Sequence, residues 1–296
     1  MRLLIFGAGG MLGHKLWQVC RDRFDTWVTV RSGYCDYAAY NLFDPKRVLE
    51  RTDALHFDTV LRALAAAKPQ VVVNCIGIVK QAPERNDSIA NLSVNALFPH
   101  RLKSVCQAMG ARLIHISTDC VFSGDRGKYV EDDTPDATDL YGRTKFLGEV
   151  NGRDCLTLRT SIIGRELRAS HGLVEWFLGQ RGGRVQGYTK AIYTGLTTLT
   201  LARIIADVVE QHSALGGLYH VSSEPLTKYD LLCLLREMFR AAIEIEPHAG
   251  VRVDRSLDSG KFRATTGFLP PAWPQMLGQL ADDAAPYELW RRRSAC

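Results

Sequence analysis

Arg2-Leu3-Leu4-Ile5-Phe6-Gly7-Ala8-Gly9-Gly10-Met11-Leu12-Gly13 reads as a short apolar strand running directly into a glycine-rich turn and the first turn of a helix. Gly7 can make the tight turn, Gly10 lets the backbone approach a pyrophosphate, and Gly13 permits close helix–strand packing. The N–H groups at the start of the helix, around Met11 and Leu12, then face the phosphates without intrahelical partners. The spacing is G-x-x-G-x-x-G, with Gly9 additional. Glycines alone also make ordinary turns; their place between the first strand and the first helix is what points to a dinucleotide.

The chain after this turn alternates apolar runs with helical patterns, the signature of repeated βα units on a parallel sheet. Strands are expected at 26–30, 70–75, 112–117 and 155–159, with helices at 11–23, 58–67, 88–109 and 141–152. The strands are unbroken and rich in Val, Ile and Leu, as when both faces of a sheet are covered. Later helices are expected at 173–180, 197–211 and 228–239, with short strands near Arg184 and Tyr219, and a less regular cap from Glu244 onward. The fold class is therefore α/β, a Rossmann-type doubly wound parallel sheet with a smaller C-terminal substrate lobe. Residues 1–160 form the NAD(P)-binding domain, with 190–217 returning to it; 161–189 and 218–296 form the substrate-binding lobe. At the end of the second strand, where an acidic residue would bond the ribose 2′-OH of NAD, stands Arg31. An arginine there suits a 2′-phosphate and favours NADPH, with NADH as the alternative; an exposed loop arginine is the plainer explanation of the same residue.

Tyr141-Gly142-Arg143-Thr144-Lys145 places a phenol and an ammonium four residues apart, on one face of a helix. A cation near a phenol favours the phenolate and lowers its pKa from about 10 toward the working pH. That makes tyrosine usable as a general acid or base. Ser117-Thr118-Asp119 closes the fourth of the expected strands at the carboxyl edge, where open α/β sheets bind ligands. A hydroxyl there can polarise a substrate carbonyl. Y-x-x-x-K by itself is common on surface helices, and the glycine turn and the Ser-Thr pair supply its specificity.

At these residues the sequence resembles the extended short-chain dehydrogenase/reductase family, and within it the branch of dTDP-4-dehydrorhamnose reductases and related nucleotide-sugar 4-ketoreductases. The stretches that carry the resemblance are the glycine turn, 117–124, Tyr141 to Lys145 with Gly148-Glu149, Leu158-Arg159-Thr160, and Arg255-Ser256-Leu257-Asp258-Ser259. It implies a catalytic set of Thr118, Tyr141 and Lys145, with Lys145 also bonding the nicotinamide ribose and Asn95 supporting the site. Cys75, Ile76, Gly77, Asn95 and Ser117 are then expected along the cofactor. Lys80, Cys120, Val121, Phe122 and Arg255 are expected along a nucleotide-sugar substrate. Lys80 and Arg255 suit diphosphate oxygens, although each equally suits an ordinary surface. The branch commonly has tyrosine where Cys120 stands, and an Ala-rich turn where this chain has Asn74-Cys75-Ile76-Gly77, so the hexulose is left open. Cys120 reads as a packing thiol or a reactive one, His115 as a core residue, and His14 as either a phosphate neighbour or a solvated helix position.

The expected reaction is NADPH-dependent reduction of a nucleotide-linked 4-keto-6-deoxy sugar, in deoxysugar or surface polysaccharide biosynthesis. Two rivals stay open: a nucleotide-sugar epimerase or dehydratase of the same family, and a non-catalytic NADP-binding regulatory subunit. A net charge of +5 without a basic stripe gives no argument for nucleic acid, and Arg291-Arg292-Arg293 reads as a solvated tail. The eight cysteines form no C-x-x-C pair, which argues against a disulfide or metal framework. No apolar stretch reaches the ~20 residues of a membrane span, and the first strand begins at once, so a cytoplasmic protein is expected. A homodimer is compatible with all of this.

Overall fold

The computed structural model describes residues 1–168, 170–283 and 285–294. Its strands are β1 (Arg2–Phe6), β2 (Asp25–Thr29), β3 (Val48–Leu49), β4 (Val71–Asn74), β5 (Arg112–Thr118), β6 (Cys155–Thr160), β7 (Ile162–Ile163), β8 (Arg184–Tyr193), β9 (Leu196–Thr197), β10 (Gly217–His220), β11 (Leu226–Thr227) and β12 (Glu244–Asp254). The α-helices are α1 (Met11–Cys20), α2 (Cys35–Ala38), α3 (Phe57–Ala67), α4 (Ser88–Asn91), α5 (Phe98–Ala108), α6 (Leu140–Leu147), α7 (Leu173–Leu178), α8 (Thr198–Gln211), α9 (Lys228–Met238), α10 (Gly260–Thr266), α11 (Trp273–Ala281) and α12 (Tyr287–Ser294).

Seven parallel strands make the main sheet, in the order β10-β6-β5-β4-β1-β2-β3. Successive side chains of a strand point to opposite faces, and here both faces are apolar. Leu3, Ile5, Val71, Val73, Ile114 and Leu158 pack on one face with Leu12 and Leu16 of α1 and Ile205 of α8. Leu4, Phe6, Val72 and Leu113 pack on the other with Val60 and Leu64 of α3 and Phe98 and Leu102 of α5. Burial on both sides explains why β4 and β6 are buried throughout, and why these strands carry continuous rather than alternating hydrophobicity.

Differences from the sequence reading have local causes. The division at residue 217 cuts through β10, whose Gly217–His220 pairs with β6 as an edge of the main sheet. The helix expected at 88–109 is broken by a π-helical segment, Leu92–Leu97, which turns Asn95 inward. β3, two residues long, is too short for any periodicity to show. The segment from Glu244 is not an irregular cap: β12 runs parallel to β8 in a three-stranded sheet of order β11-β8-β12. β12 is an edge strand, mostly solvent-facing, with Pro247 and a register shift between His248 and Arg252. Proline and a bulge are tolerated at an edge, and they erased the alternation. Arg291 to Arg293 belong to α12, but their side chains, like Cys296, lie outside the described residues.

Candidate active site

The glycine turn has the backbone its sequence requires. Gly7 takes a φ of +85° and its carbonyl accepts the Gly10 N–H at 3.0 Å. A Cβ on Gly13 would lie 2.2 Å from the Gly7 oxygen, so only glycine lets α1 sit this close to β1. Gly9, additional in the motif, has its own cause: a Cβ there would stand 2.5 Å from the Tyr37 hydroxyl. α1 begins at Met11 and Leu12 without a side-chain cap and without an acid in its first turn. Its free N–H groups and positive dipole end therefore suit an anion such as a pyrophosphate, and the residues present fit a dinucleotide. Cys75 and Ile76 run beside Gly7, with backbone atoms 3.3 Å from its would-be Cβ. Arg31, just beyond β2, is exposed to solvent.

Asn95 holds the next turn of chain. Its amide accepts the Ile78 N–H and donates to the Ile78 carbonyl, both at 2.9 Å. Gly77 is pinned close by, its would-be Cβ 3.3 Å from Asn95 Oδ1 and 3.9 Å from Lys145 Nζ. The turn at 76–78 is thus fixed against both the π segment and α6.

Thr118 ends β5, and Asp139 caps α6 by accepting the Gly142 N–H at 2.9 Å. A Cβ on Gly142 would meet the Cys120 carbonyl oxygen at 2.2 Å; glycine between Tyr141 and Lys145 lets α6 dock directly on the strand end. The Thr118 hydroxyl donates to Asp119 Oδ1 and accepts the Cys120 N–H, both at 3.1 Å. Burial, and then the Cys120 thiol, push the Tyr141 phenol well above its ordinary range, with a hydrogen bond to Thr118 pulling the other way. Burial lowers Lys145 to about 8, against the opposing pull of Glu149 and Cys75. Its ammonium donates to the Ile116 carbonyl at 2.7 Å. The expectation that Lys145 lowers the phenol is therefore corrected. Burial dominates, and Tyr141 is held as a neutral proton donor.

Thr118, Tyr141 and Lys145 come together with Cys75, Gly77 and Asn95; several other candidates stand differently. Val121 and Phe122 are fully buried in a small core with Tyr129 and Leu257, leaving no side-chain surface for a substrate. Lys80 is paired with Asp139 at 2.8 Å and lies over the Tyr141 ring, 5.6 Å from its centroid. Arg255 donates from Nε to the Phe122 carbonyl at 2.8 Å. The buried Ser117 hydroxyl donates to Glu149 at 2.7 Å, which removes it from the cofactor face. Burial raises the Cys120 thiol to about 12, as for a packing thiol rather than a nucleophile. His14 is neither solvated nor turned to the phosphates: its ring is buried between the Gly10 carbonyl and the Tyr287 hydroxyl.

Two groups escaped the sequence reading as site residues. Asp119 is buried beside Thr118, and desolvation raises its carboxyl. Lys228, the first residue of α9, reaches the same neighbourhood: Asp119 and Cys120 are the charges that act on it. A cation at the first position of a helix opposes the helix dipole, and that anomaly was a readable signal. No group of three or more His, Cys, Asp or Glu among the described residues is placed to hold a metal.

A glycine-turn parallel sheet with a Thr-Tyr-Lys set at its carboxyl edge defines an extended short-chain dehydrogenase/reductase. Residues 1–285 match the family described as RmlD substrate binding domain, and the chain belongs to that family. At that level the expected NAD(P)-dependent oxidoreductase with a Rossmann fold stands. Among curated relatives, Methionine adenosyltransferase 2 subunit beta of Xenopus laevis is 28% identical over 264 residues, covering 80% of this chain and 72% of its own length. A dTDP-4-dehydrorhamnose reductase of Mycolicibacterium smegmatis is 35% identical over 150 residues, half of this chain and 40% of that one. The solved dTDP-4-dehydrorhamnose reductase of Bacillus anthracis in complex with NADP superposes with a TM-score of 0.77 at 22% identity, covering 94% of this chain and 98% of that one. Among the described residues, no helix is long and apolar enough to cross a membrane.

Proposed function

We propose that the protein reduces a nucleotide-linked 4-keto-6-deoxy sugar with NADPH. The observation that carries this reading is the protonated, buried Tyr141 hydrogen-bonded to Thr118 at the sheet edge, beside a glycine turn shaped for a dinucleotide. The cofactor, when bound, supplies the hydride. Gly7, Gly10 and the first N–H groups of α1 would hold its pyrophosphate, and Arg31 its 2′-phosphate; Lys145 and the turn at 75–77 would line its nicotinamide end. Thr118 would donate to the carbonyl oxygen, and Tyr141 would deliver the proton that the oxygen needs as it becomes a hydroxyl. Such positioned proton transfer contributes about 10²–10⁴-fold. Following NADPH absorbance over a panel of dTDP- and UDP-linked 4-keto sugars tests the reading, with Tyr141→Phe expected to lose at least about 100-fold in kcat. If no sugar oxidises NADPH faster in the wild type than in that variant, the reading fails.

A second reading has one observation in its favour: the relatives matched over 80% of the chain carry the name of a methionine adenosyltransferase subunit. A regulatory chain would co-elute stoichiometrically with a purified methionine adenosyltransferase and show no turnover on any keto sugar. The epimerase alternative predicts turnover without net NADPH consumption, and the dehydratase alternative is weakened by Cys120 standing where an acid would follow Asp119.

A further inference from the structure

Lys228 is a cation in a place that needs an anion. It opens α9, an eleven-residue helix whose preceding Thr227 accepts the Asp230 N–H at 3.0 Å. Its ammonium lies over the Tyr193 ring, 3.8 Å from the centroid. Among the described residues it forms no ion pair, although its side chain is largely withdrawn from water. A charge removed from water without a partner is costly, and the helix dipole adds to that cost instead of relieving it.

What the ammonium faces is informative. On one side lie Asp119 and Cys120, the residues that follow Thr118. On the other it lines a cavity of about 540 Å³ together with Trp176, Tyr188, Leu232 and Val253. That volume is in the range of small-molecule sites. The walls are aromatic and aliphatic, and Trp176 and Tyr188 are themselves partly exposed. An anion seated at Lys228 would gain both the ammonium and the N-terminal dipole of α9. It would sit between the strand end that carries Thr118 and an aromatic-walled space.

We propose that Lys228 anchors the diphosphate of the nucleotide sugar, with the nucleoside occupying the cavity lined by Trp176 and Tyr188. This rests on the reading of the substrate as a nucleotide sugar, and it makes Lys228 a binding and specificity-determining residue that takes no part in proton transfer. Arg184 on the rim of the same cavity is paired with Glu244 and Glu246, which leaves Lys228 as the cation inside.

The test is titration of the full chain with UDP and dTDP, read by tryptophan fluorescence, with Trp176→Phe identifying the reporter. Lys228→Met is expected to weaken both nucleotides about 10- to 100-fold, the range for a lost charge-assisted hydrogen bond. Lys228→Arg is expected to recover most of that loss. Wild-type binding should also weaken as pH rises and the ammonium is lost. Should Lys228→Met fold poorly, Lys228→Gln and the wild-type pH series carry the same comparison. Unchanged affinity in the folded variants, or no binding of either nucleotide to the wild type, overturns the anchor. Turnover of a keto sugar with undiminished KM in Lys228→Met would overturn the anchor and leave the reductase reading intact. Nucleotide binding that depends on Lys228 without NADPH oxidation would do the reverse.

Discussion

Burial leaves Tyr141 protonated throughout the neutral range, and a protonated phenol is what a reduction needs. Lys145 is the companion whose charge changes near working pH, since burial brings it to about 8. Below that value its ammonium can bond a ribose hydroxyl or the turn at 76–77; above it the charge is gone. The kcat/KM for reduction is therefore expected to fall as pH rises through about 8. Lys145→Arg, which stays charged, should move that limb upward in a pH–rate series. An unmoved limb would assign it to another group. At this scale the sequence showed the residue types and their spacing, but not their environment. The pair Tyr141 and Lys145 reads as mutually activating on a helical wheel. In the fold, the ammonium is spent on the Ile116 carbonyl and the phenol on Thr118.

Element by element, the site depends on backbone approaches that admit no side chain. α6 touches the strand end through Gly142 and the π segment through Gly148, where a Cβ would stand 1.9 Å from the Asn95 carbonyl oxygen. Gly148→Ala must push α6 away from the π segment. A cost of about 1–3 kcal/mol is expected for such overpacking, seen in urea unfolding, together with a raised KM for NADPH as the turn at 76–78 loosens. Retention of wild-type stability would show that α6 is free to shift. Both glycines are visible in the sequence beside the Tyr-Lys motif. Their reason is not, because Asn95 and Cys120 reach them only when α5, β5 and α6 have packed.

Across the whole molecule, buried charge ties the C-terminal segments to the sheet. Arg159 on β6 is bonded to Glu149 through both carboxylate oxygens, at 2.8 and 2.7 Å, with Ser117 on the same carboxylate. Removing one partner of such a pair strands the other; Glu149→Ala is expected to cost about 3–5 kcal/mol in denaturant unfolding. The far end is held by His14, which bonds Tyr287 on α12, while Lys15 pairs with Asp283. Burial lowers His14 from 6.5 to about 4. Between those values the unfolded chain binds the extra proton, so this contribution is complete above pH 6.5 and is lost as pH falls through about 4. The loss amounts to about 2–3 kcal/mol. His14→Gln should narrow the difference in unfolding free energy between pH 7 and pH 4 by that amount; an unchanged difference would place the acid sensitivity in other groups.

By itself the sequence determined the class of sheet, its glycine turn and the residues at its carboxyl edge. These rest on local chemistry: apolar runs buried on two faces, a φ only glycine takes readily, and a four-residue helical spacing. Tertiary structure alone decided which groups share a neighbourhood and how much water they keep. It drew Val121 and Phe122 into the core, turned His14 away from the turn it follows, and paired β12 with β8 despite a proline and a bulge. It also brought Lys228, 110 positions along the chain from Thr118, to the end of β5. Pairings between distant segments depend on how the elements pack, and desolvation depends on what then covers them; neither leaves a period or a motif in the chain.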